Sequence, residues 1–192
     1  MIIIQHRINT LEALQSVPEQ LGVETDLRPG SQGIIHHHDP FSDGPLWTDY
    51  LAYYHHQFMI ANVKSEGIEE QIISDLEARS VQNYFLLDVS LPFMVKLTAK
   101  GRKNMAVRFS EYEPAELALR FAGKLNWVWV DCFTQLPLTP EIYHSLKKHF
   151  RICIVSPELQ QHPTEMISVF RNQLQQMPPD AVCTKYPELW QH

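Results

Sequence analysis

The sequence predicts an α/β protein of the (β/α)8 TIM-barrel class, and three observations carry that prediction. Eight short apolar runs recur about every 25 residues with helical patterns between them, as parallel strands buried on both faces require. Nearly every run ends in a polar residue: His6, Asp26, Lys64, Asp88, Arg108 or Ser110, Asp131, Ser156 and Thr184. The first run leads into His6-Arg7-Ile8-Asn9, whereas a doubly wound dinucleotide fold would want a glycine-rich turn there. In a barrel such strand ends ring the face that carries the chemistry.

The elements follow in order. Ile2 to Ile4 is the first strand; Asn9 and Thr10 can cap a helix through Leu11, Leu14 and Val17, which Pro18 bends or ends. Val23 to Leu27 is the second strand. Arg28-Pro29-Gly30-Ser31 reads as a turn, after which Gly33 to Ile35 starts a short extra strand that ends in His36, His37 and His38. A loop rich in turn formers runs from Asp39 to Gly44, and Thr48-Asp49 opens a helix bearing Tyr50, Leu51, Tyr53 and Tyr54. Phe58 to Val63 is the third main strand. The helix from Gly67 to Arg79 is amphipathic through Ile68, Ile72, Ile73 and Leu76. Strands at 84–89, 105–109, 127–131, 151–155 and 181–184 then alternate with helices at 92–99, 115–122, 140–149 and 164–177. The chain is short for a class that usually takes about 250 residues. Stunted or missing helices are therefore expected, around the fourth and fifth strands above all.

Residues 1–192 suit one domain, with 44% apolar content for a single core. The net charge of −6, with no long basic cluster, argues against a surface that tracks a nucleic-acid backbone. No apolar run approaches the roughly 20 residues needed to cross a bilayer, and no signal peptide is visible, so a cytoplasmic protein is expected. Cys132, Cys153 and Cys183, odd in number and set in apolar runs, read as buried free thiols.

The chemistry-bearing residues crowd the first third. Glu24 and Asp26, two apart on a strand, point to one face and could share a hard cation such as Mg²⁺ or Ca²⁺; the alternative is two solvated acids on an edge. If the histidine run stays extended, His36 and His38 share a face and His37 takes the other. His36 then lies deeper, as a core histidine or as a support for the site. Consecutive histidines on one strand cannot converge on a tetrahedral zinc. His55-His56 reads as a helix-terminus feature. Trp127 and Trp129 read as core filling, and Arg108 as a phosphate contact or the partner of Asp88 or Asp131.

Taken in order, His6-Arg7, Asn9-Thr10, Glu24 with Asp26, and His38-Asp39 resemble the opening of glycerophosphodiester phosphodiesterases. Members of that family carry an HR at the end of strand one, an N-T helix, an E-x-D on strand two and an H-D about a dozen residues later. The likeness extends to the superfamily of (β/α)8 barrels that includes phosphatidylinositol-specific phospholipase C and spider sphingomyelinase D. The resemblance implies metal-dependent hydrolysis of a small phosphodiester, with His6 and His38 as the acid–base pair. It implies Arg7 and Lys64 on the phosphate, and a divalent Mg²⁺ or Ca²⁺ on Glu24, Asp26 and Asn62. No nucleic-acid or transmembrane role is implied.

The chain departs from the pattern in three places. On strand three the family's E-x-K or D-x-K is Asn62-Val63-Lys64, so one negative charge of the metal site is gone, and Glu66 or Asp88 is the candidate replacement. Between the HR and N-T elements the segment is compressed, with Ile8 where a glutamate is common. Near the end, Thr184-Lys185-Tyr186-Pro187 matches a closing T-D-x-P except for Lys185. The first departure opens a second reading: a barrel that binds or senses a phosphate ester and has lost efficient metal catalysis.

Overall fold

The computed structural model describes residues 1–191. Its strands are β1 (Ile2–Gln5), β2 (Gly22–Gly30), β3 (Gly33–His36), β4 (Phe58–Val63), β5 (Tyr84–Leu87), β6 (Ala106–Phe109), β7 (Trp127–Val130), β8 (Arg151–Val155) and β9 (Ala181–Thr184). The helices are α1 (Leu11–Ser16), α2 (Trp47–Ala52), α3 (Glu69–Ala78), α4 (Leu91–Ala99), α5 (Ala115–Leu119), α6 (Pro140–Lys147) and α7 (Met166–Gln173).

Strand order separates a barrel from a doubly wound sheet. The sheet runs β5-β4-β2-β1-β9-β8-β7-β6, with β3 set aside on β2. Within each half of that order consecutive main strands lie side by side, β2, β4 and β5 in one and β6 to β9 in the other, and β9 lies beside β1. That cyclic order belongs to the (β/α)8 class; a doubly wound sheet reverses its order at a switch point.

Two compact units make up the chain, Gln5–Lys96 and Met1–Ile4 with Leu97 onward. In the first, β2, β4 and β5 pair in parallel and β3 folds back on β2 as a hairpin. Its core holds Leu14, Val23, Leu27, Met59, Ile60, Ile72, Leu76 and Phe85, all buried. Each such side chain contributes about 1.5–3 kcal/mol of burial free energy. Thr10 caps α1, its hydroxyl accepting from the Ala13 N–H at 3.1 Å, worth about 1 kcal/mol. In the second unit β6, β7, β8 and β9 pair in parallel over a core that includes Val107, Val128, Ile152, Ile154, Phe170 and Val182. Trp127 and Trp129 are core residues there, and the three cysteines are buried free thiols. Arg108 pairs with Asp131, which also accepts from the Trp129 and Gln160 side chains.

Three sequence expectations change. The turn expected at Arg28–Ser31 is strand as far as Gly30, because β3 supplies an antiparallel partner in the register Arg28↔Ile35 and Pro29↔Ile34. The last helix is shorter than 164–177: α7 stops at Gln173 and tightens into a 3-10 turn over Leu174–Gln176. Shortening is also spread more widely than expected, since α1 and α2 have six residues each and α5 has five, whereas α4 after the fourth main strand keeps nine. Among the described residues no helix is long and apolar enough to cross a membrane.

Candidate active site

Register brings the acids together. In the parallel pair β2–β4, Asp26 is level with Asn62 and Glu24 with Ile60, so Glu24, Asp26 and Asn62 share one side of the pleat. All three are buried. The Asn62 amide lies between the carboxylates, Nδ2 donating to Glu24 Oε1 at 2.8 Å and to Asp26 Oδ1 at 3.3 Å.

The segment after β1 wraps the same acids. The Arg7 N–H donates to Glu24 Oε2 at 2.7 Å, and Arg7 Nε stands 3.7 Å from Asp26 Oδ2. His6 Nε2 lies 3.7 Å from Glu24 Oε2. Asn9 binds Asp26 twice, its Nδ2 donating to Oδ2 and its Oδ1 accepting the Asp26 N–H, both at 2.9 Å. Lys64, one residue past β4, places Nζ 3.5 Å from Asp26 Oδ1 and 3.1 Å from Asp88 Oδ2. Arg7 and Asp88 both hold left-handed backbone, φ 57° and 59°, a conformation that costs a non-glycine residue about 1 kcal/mol or more. Strain of this kind gathers where side-chain direction matters.

The histidine run resolves into three environments. His36 closes β3 and is buried, its Nδ1 bonded to Thr25 Oγ1 at 2.5 Å and its ring centroid 4.1 Å from that of Tyr50, the two planes tilted by 32°. Burial lowers its pKa to about 3, so it stays neutral. Thr25 Oγ1 also donates to Asn9 Oδ1 at 3.0 Å, which connects this core histidine to Asp26 through Asn9. His37 turns its ring back on the Asp39 backbone. His38 is half exposed, with Nδ1 2.8 Å from Asp39 Oδ1, and this hydrogen bond draws the Asp39 carboxyl below its ordinary range.

Six of the seven residues singled out from sequence therefore gather in one cluster: His6, Arg7, Glu24, Asp26, Asn62 and Lys64. The His38 ring is not among their contacts. It is tied to them through the backbone, because Arg28 donates from Nε and NH2 to the His38 carbonyl and from NH1 to the Lys64 carbonyl. Sequence reading missed Arg28, whose neighbours Pro29 and Gly30 gave it the look of a turn residue. Asn9 carried a signal, its place in the N-T motif. Asp88 is the partner of Lys64.

Comparison with known proteins bears on the fold. The chain superimposes on a glycerophosphodiester phosphodiesterase structure from Agrobacterium tumefaciens with a TM-score of 0.70 at 14% identity, covering 98% of both chains. A putative glycerophosphoryl diester phosphodiesterase from the same organism gives 0.69 at 16%, over 98% of this chain and 94% of the other. The fold is that of glycerophosphodiester phosphodiesterase structures. A third such structure, from Parabacteroides distasonis, gives 0.66 at 14%, over 98% and 84%. No protein-family model and no curated protein matches the sequence.

Fit to a divalent ion turns on Asn62. Among the described residues no three His, Cys, Asp or Glu side chains gather as a metal cluster. The donor set on offer is two carboxylates and one amide, and Asn62 Oδ1 is buried without a hydrogen-bond partner. A half-turn of the amide exchanges its nitrogen for that orphaned oxygen, giving the all-oxygen set that hard cations take. The residues fit such an ion on those terms.

Burial, reinforced by Asp26, raises the Glu24 pKa from 4.5 to about 7. The native state then binds the extra proton between those values, so this group's contribution to stability falls as pH rises from 4.5 to 7. The stability of wild type minus that of Glu24→Gln should increase by roughly 3 kcal/mol on going from above pH 7 to below pH 4.5. Urea melts across that range measure it, and a difference that does not vary with pH would refute it.

Proposed function

We propose that the chain, residues 1–192 acting as one domain, hydrolyses a small phosphodiester of the glycerophosphodiester type. The observation that carries this reading is the gathering of His6, Arg7 and Lys64 around the buried Glu24–Asp26 pair. The Arg7 guanidinium, about half exposed, and the Lys64 ammonium bind the nonbridging oxygens of the phosphate. His6 and His38 form the proton-transfer pair, each ring beside a carboxylate. One takes the proton of the attacking water and the other protonates the departing alkoxide, so the P–O bond breaks to give an alcohol and a phosphate monoester. Asp39 orients His38, and Arg28 fixes its distance from Lys64. Glu24, Asp26 and Asn62 would hold Mg²⁺ or Ca²⁺, which when bound would supply Lewis-acid polarisation of a phosphoryl oxygen. Three buried thiols suit a reducing cytoplasmic setting.

A panel of chromogenic small phosphodiesters, assayed against added Mg²⁺ or Ca²⁺, tests the proposal. Turnover of diesters, with release of one alcohol and a monoester, is the expected result. A second reading, a phosphate-ester-binding barrel without efficient catalysis, draws support from the Asn62 amide between the two acids. Saturable binding of the diesters with no turnover at any metal concentration would favour it.

A further inference from the structure

We propose that the site takes up its divalent cation together with the phosphate ester and does not hold it as a resident ion. The inference rests on the reading of Glu24, Asp26 and Asn62 as the ion's ligands and of Arg7 and Lys64 as the phosphate's.

Every oxygen of the two acids already faces a donor from the chain. Glu24 Oε1 accepts from Asn62 and Oε2 from the Arg7 N–H. Asp26 Oδ1 faces Asn62 at 3.3 Å and Lys64 at 3.5 Å, and Oδ2 accepts from Asn9 with Arg7 Nε at 3.7 Å. Arg7 and Lys64 offset the formal charge of Glu24 and Asp26, and Asp88 flanks Lys64 at 3.1 Å. A cation arriving alone would have to displace the Asn62 N–H from between the carboxylates. It would also meet two positive side chains within 4 Å of Asp26.

A phosphate anion changes both terms. It draws Arg7 and Lys64 onto its own oxygens, frees Asp26, and adds negative charge beside the pair. The cation in turn offsets the repulsion between the phosphate and the two carboxylates. Each ligand therefore improves the site for the other, and the improvement is reciprocal. Asn62 is what makes the dependence strong. A carboxylate in place of the Asn62 amide would stand between Glu24 and Asp26 in place of a donor, and would attract the ion without an anion.

Titration calorimetry of the full chain with Mg²⁺, in the absence and presence of saturating glycerol 3-phosphate, tests this. The Mg²⁺ dissociation constant should fall by about tenfold or more when the anion is bound, within the range usual for coupled sites. Glycerol 3-phosphate should gain the same factor from saturating Mg²⁺. In Asn62→Asp, Mg²⁺ should bind without the anion and the coupling should shrink. Equal Mg²⁺ affinity in both conditions, or no Mg²⁺ binding in either, overturns the proposal. So does undiminished coupling in a folded Asn62→Asp. Anion binding without metal that weakens in Lys64→Met would leave the phosphate half of the reading standing even then. Loss of all anion binding by the wild type would bring down that reading as well.

Discussion

Replacing His6 with alanine will lower phosphodiester turnover by at least about 100-fold, the usual effect of removing a general acid or base, and will leave the protein folded. His6 stands at the end of β1 with Nε2 3.7 Å from Glu24, outside the set of buried hydrophobic side chains that form the core. His38→Ala should cost as much, although its ring is half exposed, because Asp39 orients the ring and Arg28 holds its backbone in place. His37→Ala should change turnover little, since its ring bonds only to backbone atoms of Asp39. Steady-state rates together with thermal melts of the three variants decide the matter. Equal losses at all three positions would count against His38 as the acting residue, and a melt collapsed by His6→Ala would make that position structural.

The second large effect is expected at Gly44, which has no chemistry. A Cβ there would lie 2.1 Å from the His36 carbonyl oxygen and 3.0 Å from its carbon, against backbone that cannot swing away as a side chain tip can. The same stretch is bound to β3 by the His36 N–H, which donates to the Pro45 carbonyl at 2.9 Å. Gly44→Ala must therefore push the loop off β3, with an overpacking cost of about 1–3 kcal/mol or more. His37 and His38 leave β3 at this point, so turnover should fall as well. Hydrogen exchange should show lost protection at His36, with α3 and β4 unchanged, and full protection at His36 would refute the steric argument.

Much of the fold could be read from the chain because parallel strands buried on both faces leave a strong local mark. The bounds of β4, β8 and β9 coincide with the apolar runs that announced them. Helix ends were less legible. The pattern at 164–177 continues past the point where α7 tightens into a 3-10 turn, and periodicity does not register that change. At the site, spacing on one strand was enough to bring Glu24 and Asp26 to one face. What joins them to the rest depends on register between strands, such as Asn62 beside Asp26, and on partners far apart in sequence, such as Lys64 with Asp88. Arg28 shows the difficulty most clearly. Its neighbours have the composition of a turn, and only the presence of β3 turns the segment into a strand whose arginine reaches two carbonyls.

The left-handed backbone at Arg7 and Asp88 has a consequence for anyone who would re-engineer this protein. A stability-guided redesign that scores backbone geometry alone would mark both positions as errors and favour Arg7→Gly and Asp88→Gly, since glycine meets no steric objection there. Those replacements would remove the guanidinium beside Asp26 and the carboxylate that flanks Lys64. Thermal robustness and the capacity to grip an anion are therefore opposed at these two positions, and a library enriched by heat alone would drift toward a sturdier barrel with an emptied site.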